Sequence, residues 1–164
     1  MAKKITLWSA TILWMTMIFV FSSQPAVQSD ELSLGIVERI FGFLYNLRDV
    51  PVFSLISDEL WFDLYSKANF IVRKSAHFML FAVLAFLVYH LLLEYKTNKT
   101  KAILVAAIIC FLYALSDEVH QIFIPGRAGQ IRDVFIDFSG SVSLLVIEFL
   151  ISLIKKRKKN MRRV

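Results

Sequence analysis

Four stretches of this 164-residue chain, at roughly 5–21, 75–93, 102–124 and 131–154, are apolar over close to the ~20 residues an α-helix needs to cross a bilayer. Inside hydrocarbon every backbone N–H and C=O must be satisfied within the segment itself, so runs of this length specify helices. The expected fold class is therefore all-α: a single polytopic membrane domain over 1–164 with four transmembrane helices. The first run follows Lys3 and Lys4, as a signal peptide would, but it is long for that role. "SSQPAVQS" behind it offers no clean small-x-small cleavage site, which favours a retained anchor.

The net charge of +6 could suggest nucleic acid, but the distribution of the basic residues argues for none. Seven of the nineteen Lys and Arg (Lys155, Lys156, Arg157, Lys158, Lys159, Arg162 and Arg163) sit in the tail 155–164, directly after the last apolar run. Such a cluster is a topology signal that also attracts anionic lipid. Lys3 and Lys4, the loop lysines Lys96, Lys99 and Lys101, and this tail all fall on one side of a four-span arrangement. That predicts both termini and 94–101 on the cytoplasmic side, with 22–73 and 125–130 outside. The lone Cys110 lies within the third run and reads as a packing residue.

The outer segment carries its own pattern. Ser29-Asp30-Glu31 reads as a helix start, with Leu32, Ile36, Ile40, Phe43 and Leu47 at helical spacing until Pro51. Ser57-Asp58-Glu59 repeats the signal ahead of Leu60, Trp61 and Leu64. One or two amphipathic interfacial helices are expected over 29–70, either covering a site beneath them or simply anchoring the loop.

Between the third and fourth runs lies "SDEVHQIFIPGRAGQIRDVFID", residues 116–137. At about 1.5 Å rise per residue, Ser116 lies some ~20 Å along the third helix, near its outer end. Asp133 and Asp137 occupy the first two turns of the fourth helix. Arg73, Lys74 and His77 enter with the second. Three helices thus bring ionisable groups to one depth, where such residues are costly without partners and often functional. Tyr113, Ser116, Asp117, His120 and Gln121 recur at i, i+3, i+4, i+7 and i+8 on one face, while Glu118 falls off that stripe. Asp133, Asp137 and Gly140 share a face, and the small Gly140 and Ser141 permit close helix approach. Lys74, Arg127 and Arg132 are the candidate partners of the two aspartates.

Several chemistries suit this set. A purely structural salt-bridge network is one. A divalent metal on His77, His120, Asp133 and Asp137 is another, although no HExxH or CxxC spacing identifies the ion. Pro125-Gly126 suits a type II turn, and Arg127 beside it would grip an anion at the mouth of the fourth helix. His120 near Asp117 or Asp133 would act as an acid–base group. Toward the other end, Glu148 is expected to reach Lys155 or Lys156, and His90 to be interfacial.

"FSSQPA", "RKSAHFMLFAVLAFL" and "SDEVHQIFIPGRAGQIRDVFIDFSGS" resemble the motifs of the VanZ-like family of small bacterial membrane proteins. The resemblance implies functional positions at Lys74, His77, Asp117, Glu118, His120, Gln121, Pro125, Gly126, Arg127, Asp133 and Asp137. The family's namesake is associated with low-level resistance to the glycopeptide teicoplanin, but the name carries no reaction. "GRAGQIRDVFID" is also similar to the R-x5-H-x3-D segment of membrane lipid-phosphate phosphatases. Asp133 stands where their nucleophilic histidine would, so only anion handling carries over.

Three functions follow as expectations. The first is an enzyme acting on a lipid-linked envelope precursor, with His77, His120, Asp117, Glu118, Asp133 and Asp137 as candidate catalytic groups, Lys74 and Arg127 as the anion grip, and Gln121, Pro125, Gly126 and Gly140 shaping the pocket. The second is a non-catalytic envelope binder, with membrane lipids as partners in both cases. An ion pathway is weaker, because the polar residues stop before the cytoplasmic half.

Overall fold

A computed structural model describes residues 1–45 and 57–161. Leu47, Pro51, Arg162 and Arg163 lie outside the described residues. Among those described the structure is all-helical: α1 (Ala2–Ser22), α2 (Ala26–Tyr45), α3 (Asp58–Glu94), α4 (Lys99–Gln121) and α5 (Ile131–Met161). Four of these, α1, α3, α4 and α5, are long and apolar enough to cross a membrane.

Local chemistry sets the helix starts. Ser57 caps α3 by accepting from Leu60 N at 3.3 Å, with Asp58 and Glu59 in the first turn, as its sequence signal predicts. Asn98 caps α4 by accepting from Lys101 N at 2.8 Å. The start expected at Ser29 is displaced: Ser29 N already donates to Pro25 O at 3.1 Å, so α2 begins just after the φ-restricted Pro25. Asp30 is thereby released from a first-turn role and forms an ion pair with Arg73 on α3.

The outer segment also differs from two separate surface helices. Among the described residues of this segment, α2 is the one separate helix. Residues 58–74 continue without a break into α3, whose 37 residues extend about 55 Å, well beyond a ~30 Å hydrocarbon layer. Leu32, Ile36, Ile40 and Phe43 of α2 are exposed, while Ser33 and Val37 are buried. At the other limit, α5 runs on through the basic tail to Met161.

Helix α3 is the hub, packed most extensively on α5 and also on α1, α2 and α4. The buried line of α4 is Ala102, Ala106, Cys110 and Ala114, one small residue per turn, while Leu104, Ile108, Leu112, Leu115 and Val119 face outward. Lipid tails are as apolar as leucine, so membrane helices gain by bringing small residues together and leaving large ones to lipid. Gly140 carries this to its limit: a Cβ there would lie 2.1 Å from Phe78 O of α3. Polar side chains tie the helices further, with Trp14 Nε1 donating to Leu80 O (2.9 Å), Tyr113 Oη to Met15 O (2.7 Å) and Ser141 Oγ to Phe81 O (3.0 Å).

Lys3 pairs with Glu94, and Trp8 Nε1 donates to Tyr95 Oη at 2.9 Å. The start of α1, the α3–α4 turn and the basic end of α5 therefore share one end of the bundle. Glu148 does not reach the tail lysines: Glu148 Oε1 lies 3.2 Å from His90 Nε2, because α5 packs directly on α3.

Candidate functional site

At the opposite end, the α4–α5 connection folds as the sequence predicts. Arg127 N donates to Ile124 O at 3.1 Å, closing a turn around Pro125 and Gly126. Gly126 has φ +76°, the left-handed value a type II turn requires. Pro125 O accepts from Ala26 N at 3.3 Å, which seats the turn on the start of α2. A Cβ on Gly126 would also come within 3.2 Å of Ala26 Cβ.

Behind this turn lies a polar cavity of about 130 Å³ between α3, α4, α5 and the connection. Lys74 and His77 line it from α3, Glu118 and Gln121 from α4, Gly126 and Arg127 from the turn, and Asp133 and Asp137 from α5. Lys74 forms an ion pair with Asp133, so Lys74 is the partner among the three cations proposed for the aspartates. Arg132 instead stacks over Phe70, its Cζ 5.1 Å from the ring centre. His77 Nδ1 stands 3.6 Å from Asp137 Oδ2.

Asp117 sits at the back, 3% exposed. Its Oδ2 accepts from Ser22 Oγ at 2.8 Å and from Gln121 Nε2 at 2.9 Å, while its buried Oδ1 meets no donor. Gln121 Oε1 in turn accepts from Arg127 Nη1 at 3.1 Å, and Arg127 Nε donates to Gln24 O at 3.0 Å. Arg127 thus fixes the turn against α1 and orients the Asp117 carboxylate through Gln121. Its Nη2 is buried without a partner. Burial, then the like charge of Arg73, push its pKa below the usual arginine value.

Two positions differ from the face expected of α4. Glu118 is buried, and its Oε1 accepts from Gln130 N at 2.5 Å, tying α4 to the residue that leads into α5. His120 is not among the residues lining the cavity. Its Nε2 lies 3.0 Å from Ser23 Oγ and its ring stacks on Phe19, 4.2 Å between centres, against α1. Helical geometry explains both. At 100° per residue, Asp117, Gln121 and Glu118 span about 100° of arc, whereas His120 falls about 60° to the other side of Asp117. Gly140 lies below the cavity, where it lets α5 close on α3.

Ser22, Ser23 and Gln24, which anchor Asp117, His120 and Arg127, were not singled out by charge or spacing, nor was Gln130. The available signal was three consecutive polar residues closing an apolar run, at the same end as the polar end of α4 in a four-span arrangement.

No curated protein and no solved structure gives a significant match to the chain. A family model does, over residues 7–152, taking in all four apolar helices and every residue of the cavity. The chain is a multi-pass membrane protein and belongs to the VanZ/LLP1 family.

Proposed function

We propose that the cavity binds the anionic headgroup of a lipid-linked cell-envelope molecule presented from the outer leaflet. The observation that carries this is the meeting of two unlike recesses. An apolar groove of about 370 Å³ runs between α1, α2 and α3, lined by Trp14, Phe21, Leu32, Ile36, Met79 and Leu80. Arg73 and His77 border both this groove and the polar cavity. An amphiphile would lay its chain in the groove and its anion against Arg127 and Lys74, whose charge-assisted hydrogen bonds suit phosphate or carboxylate. The buried Arg127 Nη2 has no protein partner, which leaves one guanidinium donor uncommitted.

The orientation belongs to the same reading. Lysine and arginine clusters gather at the end opposite the cavity, which supports a cytoplasmic location for that end and both termini. A cysteine replacing Ala128 should react with an impermeant thiol reagent on intact cells, and one replacing Asn98 should not. The reverse pattern would remove the cavity from the outer leaflet.

Binding is tested with purified protein in neutral detergent, using a polyprenyl phosphate and a zwitterionic phospholipid as probes in native mass spectrometry. The polyprenyl phosphate should be retained and should lose about tenfold in affinity in Arg127→Gln. Equal retention of the zwitterionic lipid, or no effect of the substitution, would defeat the proposal. Whether the bound molecule is also altered separates an enzyme from a binder. His77, beside Asp137 and inside the cavity, is the proton-transfer candidate, with His120 acting on the α1 side through Ser23. A product released by the native protein and absent with His77→Gln favours the enzyme. Teicoplanin susceptibility is the cellular readout that family membership suggests.

A further inference from the structure

His77, Asp117 and Asp137 come from three different helices, yet one candidate ligand atom from each lies within 4.8 Å of the other two. The 3.6 Å between His77 Nδ1 and Asp137 Oδ2 is too long for a hydrogen bond. It does suit two atoms sharing an ion: ligands about 2.1 Å from a tetrahedral centre sit about 3.4 Å apart. Asp117 and Asp137 are each 3% exposed, so two carboxylates face one another out of water. Lys74 is engaged by Asp133, and Arg127 reaches Gln121 rather than either carboxylate. The buried Oδ1 of Asp117 has no donor, although Ser22 and Gln121 hold the same carboxylate by its Oδ2. An unpaired buried carboxylate oxygen, beside a second carboxylate and an imidazole, is the unmet half of a cation site.

The geometry points to a divalent first-row transition-metal ion held by one nitrogen of His77 and the carboxylates of Asp117 and Asp137. Two carboxylates balance its charge, and one nitrogen with two oxygens is a donor set that zinc or manganese accepts. Ser22 and Gln121 take the part of outer partners that fix a ligating carboxylate. His77 and Asp137 also line the polar cavity, so the remaining coordination positions open toward it. The set departs from the one drawn from the sequence: Asp117 replaces His120, which faces α1, and Asp133, which is taken by Lys74. This inference goes beyond lipid binding, since the ion would bind with no lipid present and either reading can fail alone.

Untagged protein, purified in detergent and stripped with a chelator, is titrated with Zn²⁺ by calorimetry and with Co²⁺ by visible absorption. One saturable equivalent is expected, with Co²⁺ d–d bands that Zn²⁺ abolishes. His77→Gln and Asp137→Asn should each weaken binding by well over about tenfold, and Ser22→Ala by about tenfold. His90→Gln, at the other end of the bundle, should leave it unchanged. No saturable binding by the native protein, or binding untouched by His77→Gln and Asp137→Asn, overturns the site. Should those variants not fold, the native titration decides alone: intense Co²⁺ bands support the site, and the spectrum of the free aqua ion overturns it.

Discussion

The two ends of this bundle use the same chemistry under opposite conditions. At the basic end Lys3 pairs with Glu94 with side chains 76% and 25% exposed, and at the cavity Lys74 pairs with Asp133 at 18% and 14%. The α3–α5 interface likewise carries one histidine–carboxylate pair at each end. His90 and Glu148 form a two-membered contact flanked by the rings of Phe86 and Tyr89. His77 and Asp137 are joined by a third group, Asp117, and open on a cavity. What separates a clip from a site is not the pair but what surrounds it. Exposure lets water discount the first, while burial makes every unpaired atom of the second consequential.

The sharpest way to break this comparison is to remove one cation from each end. Lys74→Met should destabilise by about 3 kcal/mol, because it leaves the half-buried Asp133 uncompensated beside other carboxylates. Lys3→Met should shift stability by less than about 0.5 kcal/mol. Unfolding of the detergent-solubilised protein in increasing SDS measures both. Equal effects would mean that the cavity end is as well hydrated as the basic end.

Next in size is Gly140, which lies on α5 between the two histidine–carboxylate pairs. A Cβ 2.1 Å from the Phe78 carbonyl cannot be absorbed by a side-chain rotation, since the obstacle is backbone. Gly140→Ala should therefore cost about 2–3 kcal/mol by forcing α5 off α3. Gly42→Ala, at a site with nothing within 4 Å, should be neutral or slightly favourable. A well-folded Gly140→Ala protein that still binds at the cavity would show that the close approach is not what assembles it.

The two pairs can also be set against each other directly. His77→Gln and His90→Gln should each move stability by no more than roughly 1 kcal/mol, because glutamine keeps a hydrogen-bonding group of similar reach. Only His77→Gln should abolish conversion of a polyprenyl phosphate and weaken metal binding at the cavity. Loss in both variants would make the distinction between clip and site untenable.

Much of this was legible in the sequence, and the misses share a cause. Length and apolarity gave the four spans, and charge placement gave the convergence of Lys74, His77, Asp133 and Asp137, because an ionisable residue near hydrocarbon has few places to go. The buried face of α4 was misassigned by following the polar residues Tyr113, Ser116 and His120. In a membrane the inward face is marked by small residues, and the line Ala102, Ala106, Cys110, Ala114 continues to Asp117, Glu118 and Gln121. Ser22, Ser23 and Gln24 belong to the "FSSQPA" motif, but their partners lie about a hundred residues away, a relation that periodicity within one segment does not carry. Glu148 was assigned to nearby lysines for the same reason, although its partner His90 is on another helix.

The smallest expected effect tests the basic end by itself. Lys3 and Glu94 lie within ion-pairing distance, and Lys4 sits over the Tyr95 ring with Nζ 4.2 Å from its centre. These contacts join α1 to the α3–α4 turn, but a lysine this exposed is largely solvated in both folded and unfolded states, and holding its long side chain in one place costs rotamer entropy. A double-mutant cycle of Lys3→Met and Glu94→Gln should accordingly return a coupling of about 0.2–0.5 kcal/mol, falling further as salt is added. Trp8→Phe, which removes the hydrogen bond to Tyr95 Oη while keeping most of the ring's packing surface, should cost about 1 kcal/mol. The latch is then held by the indole and not by the ion pair. A salt-insensitive coupling above about 1.5 kcal/mol would instead place the Lys3–Glu94 pair in a dry environment and make the two ends of the bundle alike.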